Sequence, residues 1–154
     1  MFAYIGIEGY NIPSGFIVKE LAIVYPNEEF DHYLFKNPSN FSLTAKDEET
    51  IRYITRHLNN LSYTDGDIPY SMVGSVLQKL KDYTIYTYGL QTQRLVQGFL
   101  PTATIINTQD DGHKLDQNLP DPSCFRIHNF RYCAKSKAIE IQKFVEKREL
   151  CMYE

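Results

Sequence analysis

At 154 residues the chain has room for one domain and one hydrophobic core, and its 43% hydrophobic, 23% charged and 14% aromatic residues exclude a disordered or fibrous protein. No apolar run reaches the roughly 18 residues of a membrane span, the N-terminus lacks the basic start and cleavage site of a signal peptide, and three Cys make no disulfide framework. The expectation is a soluble, intracellular protein of cytoplasm or nucleus, with no membrane contact and its thiols reduced.

The predicted elements follow in chain order. Phe2 to Glu8 is a short apolar run closed by Gly9 and the turn-rich Asn11-Ile12-Pro13-Ser14-Gly15, a buried strand and its turn. Phe16 to Tyr25 and Phe30 to Lys36, separated by Pro26-Asn27, complete an antiparallel meander. Asp47 to Leu61 places Ile51, Ile54, Leu58 and Leu61 at helical spacing behind an acidic first turn. After the loop Thr64-Asp65-Gly66-Asp67, Pro69 is expected in the first turn of a second helix whose inward stripe is Val73, Val76, Leu77 and Leu80. Tyr83 to Tyr88 and Thr102 to Asn107 read as strands around a short helix from Leu90 to Phe99. The stretch from Thr108 to Ser123 is a loop long enough to invite function. A last helix, from about Arg131 to Glu149, turns Ala134, Ala138, Ile141 and Val145 inward and its lysines outward. The order β-β-β-α-α-β-α-β-α predicts an α/β fold, a mixed sheet of about five strands with helices on both faces, in a single domain spanning 1–154.

Charge is uneven along the chain. Residues 126 to 148 hold seven basic side chains against two acidic ones, a net +5, which leaves −8 for the remainder of a chain whose total is −3. Such a helix can meet phosphates, with Arg126, Arg131, Lys135 and Lys137 as the contacts, or it can simply solubilise a surface. Twelve Tyr and nine Phe offer flat faces for bases or partners where they are not core.

Cys124, His128 and Cys133 form a C-x3-H-x4-C run. Thiolate, imidazole and thiolate suit a tetrahedral zinc ion, which still needs a fourth ligand; Glu20, Glu8, His113 and Cys151 are candidates. Without a metal, Cys124 and Cys133 would be small buried hydrophobes.

Element order and motifs resemble the ribonuclease H-like fold of DEDDh exonucleases. Glu8 in Gly6-Ile7-Glu8 and His128 stand where that family has a catalytic Glu and its general base, but Gly6 and Cys133 replace two of its Asp residues and no acid occurs around Tyr86 to Arg94. One carboxylate cannot hold the two metal ions of that chemistry, so an enzyme is not expected. Glu8 and His128, with Asp110, Asp111 or Asp116 from the long loop, are the residual candidates for a surviving nuclease. Within this fold the chain is similar to the Maelstrom (MAEL) domain of piRNA-pathway proteins at two places: Lys19-Glu20-Leu21-Ala22-Ile23-Val24 with the strand ending at Asn37-Pro38, and Cys124 to Ala134. The resemblance implies a degenerate exonuclease domain carrying structural zinc on Glu20, Cys124, His128 and Cys133. It also implies nucleic-acid binding, with single-stranded RNA favoured. The residues leave open a protein-interaction scaffold docking through Asp47-Glu48-Glu49 and Asp65 to Asp67.

Overall fold

Strand pairing begins with the chain itself. A computed structural model describes residues 1–38, 41–59, 61–115 and 133–152. In it β1 (Phe2–Ile12), β2 (Gly15–Val24) and β3 (Phe30–Lys36) form the expected antiparallel meander. β1 runs four residues beyond its expected end because Asn11 and Ile12 still pair with Phe16 and Gly15, which confines the turn to Pro13-Ser14. β5 (Thr84–Thr87) lies parallel to β1, and β6 (Thr104–Asn107) parallel to β5, with α3 (Leu90–Phe99) as their crossover. The sheet is six-stranded rather than five-stranded: with β4 (Ile68–Pro69) at one edge, the order is β4-β3-β2-β1-β5-β6. It is the mixed, ribonuclease H-like α/β sheet that the element order predicts, with one short edge strand added.

That sixth strand corrects the reading of Pro69. Ile68–Pro69 (β4) pairs in parallel with Phe35 and Lys36, and Asp67 N–H donates to the Leu34 carbonyl at 2.7 Å. The helix therefore starts later, as a single 3-10 turn at Tyr70–Met72 followed by α2 (Val73–Gln78). Its stripe of Val73, Val76, Leu77 and Leu80 is buried as expected.

Lys19 explains why this segment stays on the sheet edge. The β1–β2 register passes from Glu8↔Glu20 to Gly9↔Val18, so Lys19 is the extra residue of a β-bulge. Its fully buried ammonium donates to the main-chain carbonyls of Phe35 at 2.8 Å, Tyr63 at 3.1 Å and Asp65. Burial pushes its pKa down to about 8, with Asp65 and Asp67 pulling the other way, so it remains mostly charged at neutral pH. Lys19→Met is expected to cost about 3 kcal/mol, because carbonyls now bound to an ammonium lose their donor in a dry site; urea unfolding measures it.

α1 (Ala45–Ile54) begins two residues before its expected start and then widens into a π turn at Thr55–Asn59. Thr44 is the N-cap: its Oγ1 accepts from Asp47 N–H at 3.0 Å, and Asp47 Oδ2 accepts from Thr44 N–H at 3.0 Å. Ser14, in the first hairpin turn, adds its hydroxyl to Asp47 Oδ2 at 2.5 Å and its N–H to Oδ1 at 3.2 Å. These donors, the Ser14 hydroxyl first, hold the Asp47 carboxyl below the usual range. Asp47 is thus an internal staple rather than a docking charge, and only Glu48 and Glu49 of that trio face solvent.

Alternation along β1 assigns the two faces. Ala3, Ile5 and Ile7 join Leu21 and Ile23 under α2 and α3, whose Val76, Leu77, Val96 and Leu100 complete that core. Tyr4, with Ala22 and Val24, lies under α4 (Ala134–Met152) through Ala138, Ile141 and Val145. Helices therefore cover both faces, and α4 buries the stripe that its sequence predicts. Among the described residues no helix is long and apolar enough to cross a membrane.

Candidate functional site

Gly6 and Glu8 sit on the α4 face of β1, and α4 starts directly above them. A Cβ built on Gly6 would overlap the carbonyl oxygen of Ala134 and come within 2.9 Å of Ala134 C and Ala138 N. The place where the exonuclease resemblance expects its first Asp is therefore filled by helix backbone. Glycine is required here for close approach.

Glu8 and Glu20 are direct cross-strand partners, an arrangement that repels unless each carboxylate is compensated. Each is, by the helix above. Glu8 forms an ion pair with Lys137. Glu20, 0% exposed, accepts at Oε1 from the first helical N–H, Ala134, at 2.7 Å. Its other oxygen, Oε2, lies 2.7 Å from His32 Nε2 on β3. A carboxylate at the positive end of a helix is favoured by the dipole as well as by the hydrogen bond. Two strand acids thus anchor the first turn of α4.

Two of the ligands implied by the resemblance converge here. Cys133 is 0% exposed and immediately precedes the residue whose N–H is bound to Glu20. Cys124 and His128 lie outside the described residues, as do Arg126, Arg131 and Asp116. Among the described residues no group of three His, Cys, Asp or Glu side chains stands where it could hold a metal ion. A buried carboxylate and a buried thiol at one helix start are a donor pair that zinc accepts, and they fit half of a four-ligand structural site.

Of the other candidate ligands, Glu8 lies directly across from Glu20 and pairs with Lys137, whereas His113 is farther along α4. His113 stacks on Phe144 with ring centroids 4.3 Å apart, about 15 Å along the helix axis from Ala134 at 1.5 Å per residue. Its Nδ1 is 2.8 Å from Thr108 Oγ1, whose hydroxyl donates to the Thr87 carbonyl at 3.1 Å. Burial lowers the His113 pKa, with Glu140 opposing. The folded ring therefore resists a proton that the unfolded chain accepts near 6.5, and stability contributed by the neutral ring is lost as pH falls below that value. We expect the urea midpoint to drop as the pH falls below about 6.5, and His113→Phe to flatten that drop.

The residual nuclease candidates are also separated. Asp110 and Asp111 belong to the 3-10 turn Thr108–Asp111, and Asp111 pairs with Arg148 at 3.2 Å. Glu8 is at the level of Lys137, about 16 Å away along α4, whereas two-metal chemistry needs ions about 4 Å apart.

The basic face of α4 differs from the expectation that its lysines point outward. Lys135 is only 3% exposed, with its ammonium 3.8 Å from the centre of the Phe30 ring. Lys137 is turned to Glu8. The exposed cations of this helix are Lys143, Lys147 and Arg148, of which Lys143 and Arg148 pair loosely with Glu140 and Asp111.

His32 escaped the sequence reading. The signal was there: Glu20 pairs with Leu34, so position 32 is its diagonal neighbour across the predicted meander. Searches of family models, of curated proteins and of solved structures each find no match to the chain.

Proposed function

We propose that the chain is a non-catalytic, exonuclease-like domain that works by binding nucleic acid, single-stranded RNA by preference, as a Maelstrom-like domain would. The observation that carries the non-catalytic half is the helix backbone seated on Gly6, with the adjacent Glu8 neutralised by Lys137. The binding half is supported by the +5 charge of residues 126 to 148. Within α4 the exposed cations are Lys143, Lys147 and Arg148; Lys135 is buried and Lys137 is turned to Glu8, so neither is offered to phosphates. Structural zinc on Glu20, Cys124, His128 and Cys133 belongs to the same reading; it would tie β2 to the base of α4 and leave no position for an activated water.

Two measurements test this reading. Metal analysis of the purified chain is expected to find about one zinc per molecule, lost in Cys133→Ala; a metal-free parent protein removes the zinc. Binding to a labelled single-stranded RNA is expected to weaken steeply with salt and to fall in Lys143→Glu/Lys147→Glu. Affinity indifferent to salt and to this pair would end the RNA reading.

A further inference from the structure

Four strand ends meet at the end of the sheet where β1 begins, and they border an open groove of about 790 Å³. Its aromatic walls are Phe2 at the start of β1, Tyr25 after β2, Phe30 at the start of β3 and Tyr83 before β5. Phe2 and Phe30 remain 40% and 42% exposed on this one groove, and apolar side chains exposed together rather than singly mark interaction sites. Tyr25 is fixed: its ring lies 6.0 Å from that of Tyr83, and its hydroxyl donates to Asp31 Oδ2 at 2.9 Å.

The rim is predominantly acidic. Glu28 and Glu29, exposed at the hairpin tip, and Asp31 line the same groove, with Met1 and its amino group beside them, and among the described lining residues there is no Lys, Arg or His side chain. Low-dielectric walls under a ring of carboxylates concentrate a negative potential over the aromatic floor. Such a groove rejects phosphates and matches a chain that presents an apolar side chain between cations, whose alkyl stems also cover aromatic faces. Phe30 already receives one ammonium this way, from Lys135 at 3.8 Å.

We propose that this groove docks a basic, apolar-anchored peptide segment of a protein partner. The anchor side chain enters between Phe2, Tyr25, Phe30 and Tyr83, and its flanking Lys or Arg residues meet Glu28, Glu29 and Asp31. The groove lies beside α4, whose Gln142 Nε2 donates to the Tyr25 carbonyl at 3.5 Å.

The test uses the full chain and a fluorescein-labelled heptapeptide of lysine alternating with leucine and phenylalanine, with a glutamate-for-lysine analogue as control. Anisotropy at roughly 50 mM salt, where screening is weaker than at physiological strength, should show saturable binding of the basic peptide and none of the acidic one. Glu28→Gly/Glu29→Gln should weaken it about tenfold, and Phe2→Ser should weaken it too. Glu28 has φ 71°, which glycine adopts freely, so this double variant removes charge without straining the turn. The proposal is overturned if the basic peptide does not saturate, if the acidic one binds equally, or if the double variant binds unchanged. Self-association of the chain that the double variant abolishes would assign the groove to a second copy and overturn it as well.

Discussion

Gly6→Asp, the change that would supply the first acid of the exonuclease pattern the chain resembles, is expected to destabilise the fold by about 3 kcal/mol or more rather than to confer activity. Any Cβ at this position overlaps the Ala134 carbonyl oxygen and presses on Ala138 N, so α4 must lift from β1 to admit it. The lifted helix would withdraw Lys137 from Glu8 and Ala134 N–H from Glu20, adding two uncompensated carboxylates to the steric cost. Thermal or urea unfolding of Gly6→Ala separates the contributions, since alanine supplies the clash without the charge. If Gly6→Asp unfolded with the parent midpoint, the helix would not be seated as described. Metal-dependent nuclease activity in that variant would contradict the non-catalytic reading.

Glu20→Ala is the second large effect, at about 3 to 5 kcal/mol, the range for removing one partner from a buried charged network. The carboxylate is 0% exposed and serves the Ala134 N–H at 2.7 Å and His32 Nε2 at 2.7 Å, joining β2, β3 and α4 at one point. Glu20→Gln keeps an acceptor oxygen for one of them and is expected to recover part of the loss. Comparing the two variants in the presence of a chelator distinguishes the hydrogen bonds from the proposed zinc. If the parent chain falls to the level of Glu20→Gln when stripped of metal, the metal carries the difference; if the chelator changes nothing, the hydrogen bonds carry all of it.

Both predictions concern residues whose identity was visible in the sequence and whose partners were not. Glu20 stands out as a candidate ligand and Gly6 as a glycine where the resemblance expects an Asp, yet neither observation says what lies above them. One partner of Glu20 is 114 residues away, and no local periodicity reports a contact of that range. Lys135 was misjudged for the same reason: helical spacing placed it off the apolar stripe, but the Phe30 ring extends beyond the stripe and takes its ammonium. Asp47 looked like an ordinary first-turn acid because the Ser14 donors come from a different hairpin.

By itself the sequence determined the order of the elements apart from β4, the antiparallel opening meander, the crossover between β5 and β6, and the inward face of α4. These follow from side-chain period and turn chemistry, which act over a few residues. Only the tertiary structure decided that helix backbone occupies the space over Gly6 on β1, that Glu8 and Glu20 are each compensated from α4, and that a sixth strand is held on the edge by Lys19. Those outcomes depend on how closely two surfaces approach and on which buried polar group finds a partner, and both are set when the helix meets the sheet.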